Sequence, residues 1–403
     1  MIIGLHFFQP SKKKEAYSMA EVSIFSFFAG CGILDLAFET SNFNIVFVNE
    51  FSPVFMEGYQ FARGRLELPA PEYGFHNDSA ERYSKRKGKK RLKHLVELER
   101  NKGKLVGFIG GPPCPDFSVG GKNAGASGEN GRLTKVYFDI ICRCQPDFFV
   151  FENVKGLIKT EKHKSFYHEM KCKVQGNGYV ISDKLLNAIE YGVPQSRERI
   201  IMIGVKTNLF APESAFLQAQ ENLLSFPWTQ NRRYRADVVN AIDWPEANQF
   251  IENGVLDCPE HIPVELTVEY WFDRNQVHIH PNGNDVFRVK NGYEKINTIP
   301  EGDTRGKSFK RLHRWKFSPT AAYGHNEVHL HPYLPRRISV AEAMAIQSLP
   351  AEFVLPERTT LSNKFKMIGN GVPYLMARAI AQTLMSLLDL LNAERGEDNE
   401  NHN

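Results

Sequence analysis

The chain reads as an α/β protein, a doubly wound and mostly parallel sheet accompanied by a second, smaller domain. Three observations point there. Continuous apolar runs bounded by Gly or Pro recur through the first half, as parallel strands buried on both faces require. Helical stretches separate those runs, the pattern of βαβ units. The texture then changes after Lys206, beyond which all four tryptophans, Trp228, Trp244, Trp271 and Trp315, fall among prolines, glycines and scattered basic residues.

The elements follow in order. Val22 to Phe28 reads as a strand running into Ala29-Gly30-Cys31-Gly32, whose glycines permit a tight turn and close backbone approach to a ligand. Ile45 to Asn49 is a second strand, ending in Glu50. Leu105 to Ile109 precedes Gly110-Gly111-Pro112-Pro113-Cys114-Pro115, and Asp147 to Phe151 precedes Glu152-Asn153-Val154. Ligands of open α/β sheets collect outside the carboxyl ends of the strands, so a thiol and a carboxylate share one rim with the glycine turn and Glu50. Tyr179 to Ala188 and Ile200 to Val205, joined through Tyr191-Gly192-Val193-Pro194, read as a closing hairpin. Near Arg336 helical periodicity returns, with Ser339 and Glu342 spaced as a capping box. A last amphipathic helix after Pro373 needs an apolar partner and is expected to pack back on the first domain. Beyond Glu394 the polar tail is expected to be disordered. The first domain is therefore drawn as residues 1–206 plus 362–403, and the second, with its hinge, as 207–361.

Bulk properties narrow the class. A chain of 403 residues, 42% hydrophobic, can bury a full core and form two or three domains. No run approaches the roughly 18 consecutive apolar residues of a membrane span, and Met1 to Phe8 is too short for a signal peptide. The expected location is the cytoplasm, with no membrane partner. Six cysteines without a C-x-x-C argue against a disulfide framework or a zinc knuckle. The net charge of +4 is compatible with a polyanionic partner without requiring one. Lys85, Arg86, Lys87, Lys89, Lys90, Arg91 and Lys93 crowd one short stretch, which reads either as a phosphate contact or as a solvated helix start.

Several groups have the character of chemistry. Pro112 and Pro113 fix the backbone entering Cys114, while Gly110, Gly111, Gly120, Gly121, Gly125 and Gly128 let the flanking loop close over a substrate. Cys31, Cys142, Cys144, Cys172 and Cys258 lack such a setting and read as packing residues. The Gly30-x-Gly32 turn matches nucleotide cofactors of several kinds as well as plain structural turns. Glu50, about 20 residues on, is placed to accept from ribose hydroxyls or to be a surface Glu. In Gln195-Ser196-Arg197-Glu198-Arg199, strand alternation sends Gln195, Arg197 and Arg199 to one side. The two guanidiniums of Arg197 and Arg199 suit a carbonyl oxygen or a phosphate, or an ion pair with Glu152 or with surface acids. His278 and His280, and His329 and His331, are spaced as strand neighbours, but without Cys or clustered carboxylates no metal is expected.

Taken in order, these segments resemble the DNA (cytosine-5) methyltransferases. The resemblance rests on Phe28-Ala29-Gly30-Cys31-Gly32, Asn49-Glu50, Pro112-Pro113-Cys114, Glu152-Asn153-Val154, Gln195-x-Arg197-x-Arg199, Arg337 to Pro350 and Gly369-Asn370-Gly371-Val372-Pro373. It covers most of the chain outside roughly Lys206 to Ser308. It implies the Rossmann-like fold of class I S-adenosylmethionine-dependent methyltransferases, with Phe28, Gly30, Gly32, Glu50, Phe51, Asp78, Val136 and Asn370 around that cofactor. S-adenosylhomocysteine would be the product and no metal would take part. It assigns Cys114 as the nucleophile toward cytosine C6, Glu152 to N3, and Arg199, helped by Arg197, to the O2 carbonyl. The target base would swing out of duplex DNA into the pocket, with Ser118 touching DNA and the second domain reading the sequence; there Arg232, Arg233, Arg235, Lys310, Arg311 and Arg314 suit phosphate and groove contacts or are plain surface residues.

The family's commonest role implies a bacterial restriction-modification system, with a companion endonuclease acting on the same site without direct contact, and a monomer in the bacterial cytoplasm. Departures from the family pattern are Pro115 for Gln, Ile33 for a second Gly, Ser26 for Asp and Gly371 for Ser after Asn370. None removes the nucleophile or the acid. An RNA-directed relative, a catalytically dead DNA-binding regulator and a nicotinamide oxidoreductase are the competing readings.

Overall fold

The computed structural model of the chain describes residues 20–113, 129–211, 214–218, 223–289, 293–320 and 327–400. In the first half, β1 (Val22–Phe27), α1 (Ile33–Glu39), β2 (Asn44–Asn49), α2 (Pro53–Arg65), β3 (Phe75–His76), α3 (Glu81–Ser84), α4 (Arg86–Asn101), β4 (Leu105–Gly110), α5 (Glu129–Cys144), β5 (Phe148–Val154), α6 (Glu161–Gln175), β6 (Tyr179–Asn187) and β7 (Glu198–Lys206) follow one another. Then come β8 (Leu217–Gln218), β9 (Leu223–Leu224), α7 (Ala236–Asn240), α8 (Val268–Arg274), α9 (Tyr293–Asn297), β10 (Lys310–Arg311) and β11 (His329–Leu330). Three helices follow: α10 (Val340–Ile346), α11 (Leu361–Asn370) and α12 (Tyr374–Glu400).

Among the described residues the main sheet has nine strands, ordered β3-β2-β1-β4-β5-β7-β6-β9-β8. The run from β3 to β5 is parallel, and β7 lies antiparallel between β5 and β6. All six residues of β1 are buried, as are five of the six in β2 and in β4. Continuous apolar strands of this kind must be covered on both faces. One face packs α4, α5 and α6 through residues such as Leu92, Val96, Ile140 and Met170. The other packs α1, α2, α11 and α12, and the same apolar cluster continues through Trp271 of α8 and Ala343 and Met344 of α10. A small satellite core gathers Val239, Trp244, Ile262 and Leu266 beneath Ile189.

The hairpin of β6 and β7 forms as expected, its turn ending in Gly192 at φ 84. The capping box is present: Ser339 N–H donates to Glu342 Oε2 at 2.7 Å, and Glu342 N–H donates back to Ser339 Oγ at 3.2 Å. Other expectations shift. β5 runs on to Val154, because the antiparallel ladder with β7 extends to the pair Val154–Arg199, so Glu152 lies within the strand rather than after it. α12 continues to Glu400, past the point where order was expected to end. Cys172 and Cys258 are exposed, unlike buried Cys31 and Cys144, and are not packing residues. The stretch Leu361–Glu394 is long and apolar enough by composition to cross a membrane, yet most of its apolar part is buried within the fold. Tyr374 bonds Thr40, the residue that follows α1, at 3.1 Å, and Asp389 accepts from Ala20 N–H at 3.0 Å.

Candidate active site at the strand ends

β1 and β4 are neighbours although β2 and β3 intervene in sequence, so the order of the sheet reverses between them. At such a switch point the connections leave in opposite directions and a crevice opens at the carboxyl ends. β1 delivers the turn 28–32 to that crevice, with Phe28 (φ 54), Gly30 (φ 60) and Gly32 (φ 85) all in the left-handed region. Gly32 is required twice over, since a Cβ there would stand 2.5 Å from the Tyr59 ring. Gly30 faces open space within 4 Å of where its Cβ would be.

Glu50, at the end of β2, closes the turn. Its Oε2 accepts from Gly30 N–H at 2.9 Å and its Oε1 from Ser52 N–H at 2.8 Å. Burial pushes this carboxyl upward, and the backbone N–H groups of Ser52 and Gly30 pull it back. Beside it the ring of Phe51 is 72% exposed, an apolar face offered to whatever enters. Sequence reasoning missed how this corner is held. Asn77 Nδ2 donates to the carbonyls of Glu50 and Phe51 at 2.8 and 3.0 Å, and Asn49 Nδ2 donates to Asp78 O and Oδ1 at 2.8 and 3.0 Å. The paired Asn-Glu and Asn-Asp dipeptides were the available signal. Asp78 also accepts from Tyr83 at 3.0 Å and Arg82 at 2.5 Å, which leaves a carboxylate lone pair for one further donor. Val136, 8% exposed, lies on α5, and the Phe28 ring meets Tyr137 edge-on at 6.1 Å.

The other half of the crevice comes from β4 and β5. A Cβ on Gly111 would stand 2.6 Å from Glu152 Oε2, and Asn153 Nδ2 donates to Pro112 O at 3.4 Å. The backbone leading to Cys114 therefore passes directly against Glu152. Cys114 itself, Ser118 and the glycine loop expected to close over a substrate lie outside the described residues. Glu152 is 7% exposed and its Oε1 lies 3.0 Å from Arg199 Nε. Burial raises its proton affinity, and the charges of Arg199 and Arg197 oppose that. A carboxyl whose proton affinity is raised can share a proton with a ring nitrogen, while the adjacent guanidinium suits a carbonyl oxygen.

Arg197 is 1% exposed; its Nη2 donates to Gly369 O and, at 3.2 Å, to Gly371 O, and its charge also acts on Glu152. It thereby ties the turn that carries exposed Asn370 to the strand beside the acid. Gly371 explains two departures from the family pattern at once: a Cβ there would meet Ile33 Cδ1 at 2.5 Å. The extra bulk of Ile33 fills the space that the missing side chain vacates, which no linear reading of positions 338 residues apart reveals.

Arg311 is a correction. It is wholly buried, its guanidinium donating to the carbonyls of Ile299 at 2.9 Å, Ile296 at 2.7 Å, His331 at 2.5 Å and Leu334 at 3.1 Å, with the Phe250 ring 3.8 Å away. All this makes it an internal tie, out of reach of any phosphate. Arg314 is likewise buried and forked to Glu301. Arg232 stays partly exposed beside Glu190, Arg233 is exposed, and Arg235 is exposed and pairs with Asp237. Sequence alone ranked these arginines equally, because charge does not report burial.

Residues 22–386 match the family model of C-5 cytosine-specific DNA methylases. The chain is 53% identical over 366 residues to the type II methyltransferase M.NmeDI of Neisseria meningitidis serogroup C, covering 91% of this chain and 84% of that one. It is 28% identical to the type II methyltransferase M.FnuDI of Fusobacterium nucleatum, over 90% and 95% of the two chains. In fold it is similar to S. pombe Dnmt2 methyltransferase, at TM-score 0.54 and 12% identity over 92% and 99% of the chains.

Proposed function

The chain belongs to the C-5 cytosine-specific DNA methylases, as a DNA cytosine-5 methyltransferase of type II kind, and on that premise we propose how it works. It methylates C5 of a cytosine swung out of a specific duplex site, through a transient bond between Cys114 and C6. The observation that carries this reading is the seat of the Pro112-Pro113-Cys114 approach: only a glycine at 111 lets that backbone pass against the buried Glu152 carboxyl.

The crevice suits S-adenosylmethionine. Glu50, its carboxylate fixed by two backbone N–H groups, accepts from ribose hydroxyls, while Phe51 and Phe28 offer aromatic faces to the adenine and Asp78 a carboxylate to its amino group. Gly30, Gly32, Val136 and Asn370 complete the wall. When bound, the cofactor supplies an electrophilic methyl on a sulfonium and leaves as S-adenosylhomocysteine.

The chain's own residues prepare the ring, since cytosine C5 is a poor nucleophile. The Cys114 thiolate forms a bond at C6, and the electron pair displaced toward N3 is met by the proton Glu152 holds there, leaving an enamine whose C5 takes up the methyl. Arg199 holds O2, and Arg197 keeps the Asn370 turn and Glu152 in register. Loss of the C5 proton to water then expels Cys114 as thiolate, and return of the N3 proton to Glu152 restores the neutral aromatic ring and the acid. Residues 207–361, with Arg232, Arg233 and Arg235 at their surface, read and grip the DNA together with Ser118. The enzyme acts as a monomer in the bacterial cytoplasm and protects the sites cut by a companion endonuclease.

Duplex containing 5-fluorocytosine tests the reading, because fluorine at C5 blocks the final elimination. Incubation with S-adenosylmethionine should leave a protein–DNA adduct that survives denaturation and is absent from Cys114→Ser. Bisulfite sequencing of DNA from expressing cells then gives the site. Adduct formation on transfer RNA in place of duplex, or none on either, overturns the proposal.

A further inference from the structure

The basic run of residues 85–93 has no part in the site described so far. It forms the first half of α4, with seven Lys and Arg in nine residues and no acid among them. Lys85, Arg86, Lys87, Lys90, Arg91 and Lys93 are exposed. Among the described residues none of the seven pairs with a carboxylate, whereas the second half of the same region is neutralised: Arg100 by Asp147 at 2.8 Å, and Lys102 by Glu99 at 2.6 Å and Glu72 at 2.7 Å.

This arrangement works against the helix that carries it. Cations at a helix N-terminus oppose the macrodipole. Arg86 and Lys90, Lys87 and Arg91, and Lys89 and Lys93 are like charges four residues apart, which repel. Lys85 at the N-cap makes no side-chain cap bond. Locally unfavourable choices concentrated on one surface are the mark of a surface shaped by a partner rather than by folding.

Its position says which partner. Glu99, near the end of α4, accepts from Ser23 at the start of β1. At about 1.5 Å per helical residue, Arg86 stands roughly 20 Å further up, and at about 3.3 Å per strand residue that is the height of the Gly30 turn. Gly88 packs this end down onto the chain carrying Asp78, where a Cβ would lie 2.1 Å from Arg82 O. The charge of Arg91 reaches His76 at the end of β3. The cations thus border the rim on which the proposed reaction takes place.

We propose that the surface of Lys85–Lys93 is a second nucleic-acid contact, separate from residues 207–361, that binds backbone phosphates of the duplex flanking the target site. The inference rests on the DNA-directed reading above. A phosphate contact of this kind carries no sequence information; it adds affinity and holds the duplex while the other domain reads it.

The test is a variant combining Lys87→Gln, Lys90→Gln and Arg91→Gln, none of which touches the active site. Binding of full-length protein to duplexes with and without the methylated site is measured from 50 to 200 mM salt, beside methyl transfer and thermal unfolding. Losing three phosphate contacts should flatten the slope of log K against log salt by about two to three, roughly a 40-fold smaller loss of affinity across that salt range. Both duplexes should be affected alike. The melting temperature should hold or rise as the repulsion is relieved, which separates lost contact from damaged folding. A slope equal to that of the unaltered protein overturns the inference, as does an effect seen only with vesicles of phosphatidylserine and phosphatidylcholine or only with RNA. The outcomes are distinguishable: if the unaltered protein methylates duplex and the slopes coincide, this inference alone falls, whereas absence of methyl transfer by the unaltered protein strikes the proposed function itself.

Discussion

Adding one carbon at Gly371 tests whether the cofactor turn is gripped as the structure shows. Gly371 has φ −70 and ψ 154, values any residue adopts, so backbone strain does not require glycine there. Sterics do. The new Cβ would lie 2.5, 3.3 and 3.4 Å from Cδ1, Cγ1 and Cβ of Ile33, the nearest about 1 Å inside the usual 3.5–4.0 Å carbon contact. Ile33 is 2% exposed and begins α1 directly after the glycine turn, so it has no solvent to swing into. Either the Gly30–Gly32 turn or the Asn370 turn must give way, and both line the proposed cofactor crevice. Overpacking of this kind costs about 1–3 kcal/mol, equivalent to a roughly 5- to 150-fold loss where the strain falls on binding. Calorimetric titration with S-adenosylhomocysteine reads it directly, for Gly371→Ala, Ile33→Ala and the pair. The expected result is a penalty for Gly371→Ala that shrinks when Ile33→Ala is present, a coupling of about 0.5–3 kcal/mol between the two positions. Unchanged affinity and unfolding in Gly371→Ala, or a penalty indifferent to residue 33, would refute the reasoning.

Four further outcomes follow from the same geometry. Cys114→Ser should abolish methyl transfer while S-adenosylhomocysteine still binds, since a hydroxyl is a far poorer nucleophile than a thiolate at neutral pH; single-turnover transfer of labelled methyl measures it. Glu152→Gln should lower kcat by about 10²- to 10⁴-fold, the usual span for a positioned acid; since rising pH strips the raised Glu152 carboxyl of its proton, pH–rate profiles should fall with rising pH in the unaltered enzyme and lose that fall in the variant. Asp35 is buried beneath the glycine turn, where burial lifts its carboxyl to about 7 despite hydrogen bonds from Ser26 and Tyr59. With the folded value raised above the ordinary 3.8, its contribution favours folding at low pH and is lost as pH rises from about 4 to 7. Asp35→Asn should flatten urea-measured stability over that window, because both hydroxyls can rotate to suit an amide. Arg311→Ala should destabilise the fold by about 3 kcal/mol or more, by stranding buried carbonyls, yet leave the salt dependence of DNA binding in the surviving folded protein unchanged.

Much of this protein is legible in the line of residues. Parallel strands buried on both faces must be apolar along their whole length, so β1, β2, β4 and β5 announce themselves, and glycine turns and carboxylates at their ends mark the rim. The ends of strands are less legible: β5 extends to Val154 because β7 supplies a partner, Arg199, from 45 residues away, a fact that no local propensity carries. The arginines divide in the same manner. Arg199 and Arg197 share one alternation and one motif, but the first meets Glu152 while the second reaches the carbonyls around Asn370.

Sequence by itself determined the fold class, the order of the elements and the family, since all three depend on periodicity and on residue types at short spacing. The tertiary structure alone decided which charges face solvent, that Arg197 reaches the Asn370 turn while Arg199 meets Glu152, and that Ile33 and Gly371 fit one another. Each of those is a contact between segments distant in the chain, settled by packing in three dimensions, and burial of that kind leaves no trace in local composition.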